Sequence, residues 1–125
     1  MIAYLDTIAG TGLVAAPVDQ SIGAEWGCRG ELIGGTSTAL GTGQANTTLI
    51  LFGCVESGIA ARLCDELDDW GYDDWYLPSL DELNEVYENL QLNGFSTFYN
   101  YSYWSSTEGS LSFLAQAQDF SDGIQ

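Results

Sequence analysis

The chain has 125 residues, 46% of them hydrophobic, and sets 18 acidic residues against Arg29 and Arg62, with no Lys and no His, for a formal net charge of -16. So negative a surface repels phosphate backbones, glycosaminoglycans and anionic membranes, which argues against nucleic acid as a partner. The lack of His removes Ser-His and Cys-His nucleophile pairs, and no run of about 20 apolar residues is present to insert into a bilayer.

The length suits a single domain over 1–125 with a real core. Ile2 to Leu5 reads as a short strand, Gly10-Thr-Gly12 as a turn and Leu13 to Ala16 as a second strand ending at Pro17, which together predict a hairpin. Residues 18 to 48 are rich in Gly, Thr and Ser and lack helical periodicity. They predict a long ordered loop with at most a brief helical turn near Ser21 to Trp26, pinned by Trp26. Gly41-Thr-Gly-Gln-Ala-Asn46 is an incomplete glycine fingerprint without a strand-turn-helix setting, so it does not support nucleotide binding. Thr48 to Phe52 is expected to be extended.

A first helix is expected from about Ser57 to Asp69, with Ala60, Leu63, Cys64 and Leu67 on its apolar face and Gly71 just past its end. Asp65, Glu66, Asp68 and Asp69 fall in the last turn, where they oppose the helix dipole. With Asp73 and Asp74 close by, they suggest a cation site, for which Asp65, Asp69, Asp73 and Asp74 are the candidate Ca2+ ligands. The spacing is not the alternating pattern of a calcium loop, and a solvated acidic face is the competing reading. No cofactor is required.

The clearest signal runs from Trp70 to Leu90. Pro78 keeps Leu77 extended. Ser79 can cap a helix, and Glu82 can reach back to the Ser79 amide as a capping box. Leu80, Leu83, Val86, Tyr87 and Leu90 share one face, and Asn93-Gly94 ends the helix. The next loop holds Phe95, Phe98, Tyr99 and Tyr101, interleaved with Thr97, Asn100 and Ser102. Tyr103 to Thr107 and Leu111 to Phe120 read as strands. Phe95, Phe98 and Trp104 are expected in the core, and at least one of Tyr99, Tyr101 and Tyr103 at the surface. Tyr99, Asn100, Tyr101, Ser102 and Tyr103 are the candidate ligand-binding residues, because exposed Tyr rings stack on sugars or protein surfaces at small entropy cost.

Cys28, Cys54 and Cys64 form no zinc set, since neither a CxxC nor a His is present. Cys64 lies on an apolar helical face, as a buried free thiol does. Cys28 and Cys54 both flank Gly-rich loops and are the pair expected to form a disulfide, with three free thiols as the alternative.

Asp74-Trp-Tyr-Leu-Pro-Ser79 with Glu82-Leu83, and later Tyr103-Trp-Ser-Ser-Thr-Glu108, resemble a bacterial lectin-like domain family, that of the Legionella collagen-like adhesin C-terminal domain. Gly12-Leu-Val-Ala-Ala-Pro17, Asp19-Gln-Ser21, Glu25-Trp-Gly-Cys28, Gly41-Thr-Gly43 with Asn46-Thr47, and Gly58-Ile-Ala-Ala61 follow the same pattern in order. The resemblance implies an α+β, C-type-lectin-like fold: two helices packed on a twisted, largely antiparallel sheet with long ordered loops. It also implies a binding role without a reaction. The sulfated polysaccharides associated with the namesake do not carry over to so acidic a chain. Family members run on into a closing strand, so the chain looks clipped at both ends.

The expected function is therefore non-catalytic recognition of a glycan or cell-surface protein, as a module of a surface adhesin or phage receptor-binding protein. Its place is extracellular, on a cell surface or a virion, within a longer parent, since Met1-Ile-Ala-Tyr-Leu-Asp6 is no signal peptide. An oligomerisation or capping module is the alternative, and a carboxylate-based glycoside hydrolase the third reading. An uncharged Leu111 to Gln118 edge predicts a homo-oligomer, a dimer first, through strand addition.

Overall fold

A computed structural model describes residues 11–95, 98–109 and 114–125, together with the backbone of residues 2–6. Two β-strands, Ile2–Asp6 (β1) and Thr11–Val14 (β2), pair antiparallel with an irregularity between Ile2 and Tyr4. Three α-helices follow, Gly43–Gly53 (α1), Ala60–Asp65 (α2) and Leu80–Val86 (α3), the last running into a π-helical turn at Tyr87–Gln91. Ser102–Glu108 (β3) and Ala115–Asp119 (β4) form a second antiparallel pair, with a register shift between Trp104 and Glu108. The architecture is a small α+β fold whose described strands make two separate two-stranded sheets.

Several expectations are met. The hairpin forms, though its second strand is Thr11–Val14, so Thr11 and Gly12, expected in the turn, are strand and Ala15 and Ala16 are not. β3 extends the expected Tyr103 to Thr107 strand by one residue at each end, and Ser79 caps α3 with the complete capping box: Glu82 N donates to Ser79 Oγ and Ser79 N to Glu82 Oε2. Two helical expectations are corrected. Thr48 to Phe52 is not extended; it is the second half of α1, which starts inside the stretch read as loop. The helix expected from Ser57 to Asp69 is only Ala60–Asp65: Ile59 is extended at its N-cap, and Glu66, Asp68 and Asp69, which would oppose the dipole in a longer last turn, lie beyond its end. The described residues therefore hold three α-helices where two were expected. No helical turn forms at Ser21 to Trp26. Of the strand expected from Leu111 to Phe120, Ala115–Asp119 is observed; Leu111 to Phe113, like Gly10 and Thr97, lie outside the described residues.

Two apolar clusters hold the chain together. Ile50, Cys54, Ile59, Ala60, Ala61 and Leu77 are buried between α1 and α2, with Trp26, Cys28 and Ile33 packed against them. Leu83, Tyr87 and Phe120 join α3 to the end of β4, with Val86, Phe98 and Tyr103 at their margin. Each fully buried aliphatic or aromatic side chain here stabilises by roughly 1.5–3 kcal/mol.

Between the clusters lies a polar seam, in which Asn46, Thr47, Ser79, Ser105, Ser106 and Thr107 are all buried. Burial of such groups is tolerated only when each is hydrogen-bonded, and here they are. Ser37 N donates to Asn46 Oδ1 at 2.9 Å, and Asn46 Nδ2 donates to Ser37 O and Ser106 Oγ at 2.7 and 3.1 Å. Leu77 N donates to Thr47 Oγ1, and Leu80 N to Thr107 Oγ1. Glu108 accepts from the consecutive amides of Ile33 and Gly34 at 2.7 and 2.8 Å. Trp26 Nε1 donates to Ser105 O at 2.7 Å, so the indole does pin the long loop to β3.

The Cys28–Cys54 disulfide is formed, with its Cα atoms 5.5 Å apart, and it ties the same loop to the end of α1. Cys64 is the free thiol. Burial first, and the nearby Asp65 charge second, push its pKa up to about 11. No helix among the described residues is long and apolar enough to cross a membrane.

Candidate functional site

An open cleft of about 790 Å³ runs along one side of the molecule, within the range that admits a small ligand or a peptide segment. β2 and the loop after it form one bank, α2 and the Tyr72 to Pro78 segment form another, and the chain from Phe98 to Trp104 closes it. Apolar side chains such as Leu63, Leu67 and Val86 line it.

The expected recognition loop supplies its aromatic edge. Tyr99 and Tyr101 are 61% and 65% exposed and stack on one another, centroids 5.6 Å apart and planes 27° apart. Two tyrosines thus stand at the surface, where at least one was expected. Tyr103 is half-buried against Phe120 at 4.6 Å. Its hydroxyl donates to the Asp19 carboxylate, 2.9 Å from each oxygen, and accepts from Tyr99 N at 3.1 Å. Desolvation first, then the hydrogen bond to Asp19, raise the Tyr103 pKa above the ordinary phenol value. Ser102 also lines the cleft. Asn100 does not; its Oδ1 accepts from Gln91 Nε2 on the π turn, which steadies the loop from behind.

Two expected core residues of this region are corrected. Phe95 is 70% exposed, because the chain leaves the π turn there with its amide bound to Leu90 O and the ring outside both clusters. Trp104 is 39% exposed on the cleft wall, held by Nε1 donating to Ala24 O at 2.9 Å. Phe98 packs in the core margin as expected.

Tyr72 and Trp75, which also line the cleft, belong to an aromatic group that sequence reasoning did not single out as a site. Trp75 meets Tyr72 and Trp70 edge-to-face at 5.7 and 6.0 Å. Asp69 and Tyr72 bridge across a two-residue turn whose central residues, Trp70 and Gly71, both have positive φ, 52° and 82°. That conformation suits Gly but is strained for Trp, at a cost on the order of 1–3 kcal/mol. Trp75 Nε1 donates to Asp69 O and Tyr72 O, which anchors the turn. In the sequence Gly71 marks only the end of the preceding helix.

Glu82 lies at the buried base of the same side. Besides Ser79 N it accepts from Gly41 N at 2.9 Å and from the Tyr76 hydroxyl at 3.3 Å. A Cβ at Gly43 would collide with this carboxylate and with the Tyr76 ring, so the close approach requires glycine at that position. Burial and then the Glu82 charge push the Tyr76 pKa upward.

The candidate cation ligands do not converge. No three of Asp65, Asp69, Asp73 and Asp74 offer oxygens within 4.8 Å of one another, and Asp69 Oδ1 is engaged with Trp70 N. Cys28, Cys54 and Glu56 are close together, but the two sulfurs are bonded to each other and offer no thiolate.

The fold and site define a small α+β protein with an aromatic-edged apolar cleft. No family model, curated protein or solved structure matches the chain.

Proposed function

We propose that the chain is a non-catalytic recognition module with a C-type-lectin-like fold, binding a glycan or cell-surface protein for a surface adhesin or phage receptor-binding protein. One observation carries this reading: Tyr99 and Tyr101, more than half exposed, stack as a pair on the edge of an apolar cleft. Burying large aromatic rings in a complex recovers hydrophobic free energy that exposure forgoes, and the hydroxyls supply directional contacts. The sequence resemblance points to the same class.

The test is the double variant Tyr99→Ala/Tyr101→Ala, assayed on a glycan array and on cells. Both rings are exposed, so unfolding should stay cooperative and stability should move by about 0.5 kcal/mol or less per site. Loss of binding at unchanged stability supports the reading. Binding equal to the parent chain would overturn it.

A further inference from the structure

The cleft is electrically one-sided. Asp19, Asp74 and Glu82 line it, and no basic side chain does. Both arginines lie elsewhere: Arg62 donates to Glu56 O and Cys54 O, and Arg29 lines a separate hollow beside Trp26. The carboxylates differ in how far they are satisfied. Glu82 is buried and receives three protein donors, so it serves the fold. Asp19 is half-buried and receives a single hydroxyl, that of Tyr103, among the described residues. A carboxylate has about four acceptor positions, which leaves Asp19 with capacity for a donor arriving in the cleft.

Aromatic rings line the same cleft as this carboxylate. Tyr99 is tied to the Tyr103 hydroxyl through its amide and stacks on Tyr101, while Tyr72 and Trp75 line the other bank. Ring faces carry partial negative charge and attract cations. Rings and carboxylates together repel anions and favour a positive group. The apolar lining from Leu63 and Leu67 offers a compact inorganic ion no replacement for its hydration shell, but it suits hydrocarbon.

We propose that the cleft receives the basic side chain of a partner polypeptide, a lysine or arginine with its apolar stem, with Asp19 as counter-ion and Tyr99 and Tyr101 as aromatic wall. The inference rests on the recognition reading and names its ligand class. A polypeptide partner fits better than a lone amine because about 790 Å³ exceeds what one side chain fills, leaving room for its neighbours. A net charge of -16 further steers basic partners toward the surface.

The experiment titrates an end-blocked peptide of alternating lysine and leucine in 0.15 M salt, following tryptophan fluorescence. A second peptide carries norleucine in place of lysine. The lysine peptide is expected to bind at least about tenfold more tightly. Asp19→Asn keeps an acceptor for the Tyr103 hydroxyl, so it folds, and it should weaken lysine-peptide binding about tenfold. Asp68→Asn makes the same change in net charge at an exposed residue outside the cleft, and should change binding less than about twofold. Equal weakening by the two variants would mean attraction by overall charge, and norleucine binding as tightly as lysine would mean apolar docking; either result overturns the proposal. If the lysine peptide fails to bind while the tyrosine double variant still loses glycan or cell binding, the recognition reading stands and this ligand class falls.

Discussion

Replacing Asn46 by Ala tests the polar seam. Asn46 is 1% exposed and makes three hydrogen bonds, but its partners do not suffer equally when it is removed. Ser37 O keeps the Thr107 and Thr42 hydroxyls as donors. Ser37 N has Asn46 Oδ1 as its acceptor, and its loss costs about 1–3 kcal/mol, with about 1 kcal/mol more for the bond to Ser106. A total near 3 kcal/mol is a large fraction of the 5–15 kcal/mol typical of a domain. With a urea dependence of about 1.5 kcal/mol per M, the unfolding midpoint should fall by about 2 M at unchanged slope. Thr48→Ala, at an exposed position two residues along α1, should move it by no more than about 0.3 M. Asn46→Asp adds a sharper comparison. It keeps the acceptor for Ser37 N but sets a carboxylate oxygen against Ser37 O, so at neutral pH it should destabilise more than Ala and recover partly in acid, where the new carboxyl regains a proton. If Asn46→Ala matches Thr48→Ala, or if Asp is the milder of the two, the seam does not hold the loop to the helix as argued.

The remaining predictions concern the cysteines. Cys28→Ser/Cys54→Ser opens a link spanning 26 residues, which by loop entropy costs about 3.5 kcal/mol, measurable as a lower denaturation midpoint; a loss under about 1 kcal/mol would show that the reduced chain is already constrained. Cys64, half-buried with its pKa raised from the ordinary 9.0 to about 11, should react with a disulfide reagent at pH 8 far more slowly in the native state than in urea, and equal rates would contradict the raised pKa. The folded state holds that proton where the unfolded state releases it, so its contribution is complete below pH 9, fades as pH rises through about 11, and should vanish in Cys64→Ala; the raised pKa values of Tyr76 and Tyr103 extend the loss further into alkali.

What the sequence disclosed depended on range. The cap at Ser79 and Glu82 was legible because every group involved lies within four residues. The β1–β2 hairpin was legible because its strands adjoin in sequence, no partners lying more than twelve residues apart, its signal being two apolar runs around glycines. Helix α1 was not. Thr48, Leu49, Ile50, Leu51 and Phe52 read locally as extended, and Thr and Gly are poor helix formers. The helix is instead stabilised from outside, by Ile50 in the core and by Asn46 and Thr47 bonding to Ser37 and Leu77. The site divides in the same way. Tyrosine density marked Tyr99 to Tyr103, whereas Asp19 joins them across 84 residues, and Trp75 reaches the same cleft from another bank. Neither link leaves a local trace.

The disulfide has one more consequence, in how the polypeptide can be cut and rejoined. Trypsin has two target residues in this chain. Arg62 is engaged with Glu56 O and Cys54 O, while Arg29 is exposed and adjoins Cys28, inside the ring that Cys28 and Cys54 close. Cleavage after Arg29 would leave both pieces joined through sulfur, as a two-chain protein that separates only under a reductant. Exposed backbone flanked by glycine is also where new termini are best tolerated. Gly30 could therefore begin a permuted or split version of this molecule, and the bridge would keep its halves from drifting apart.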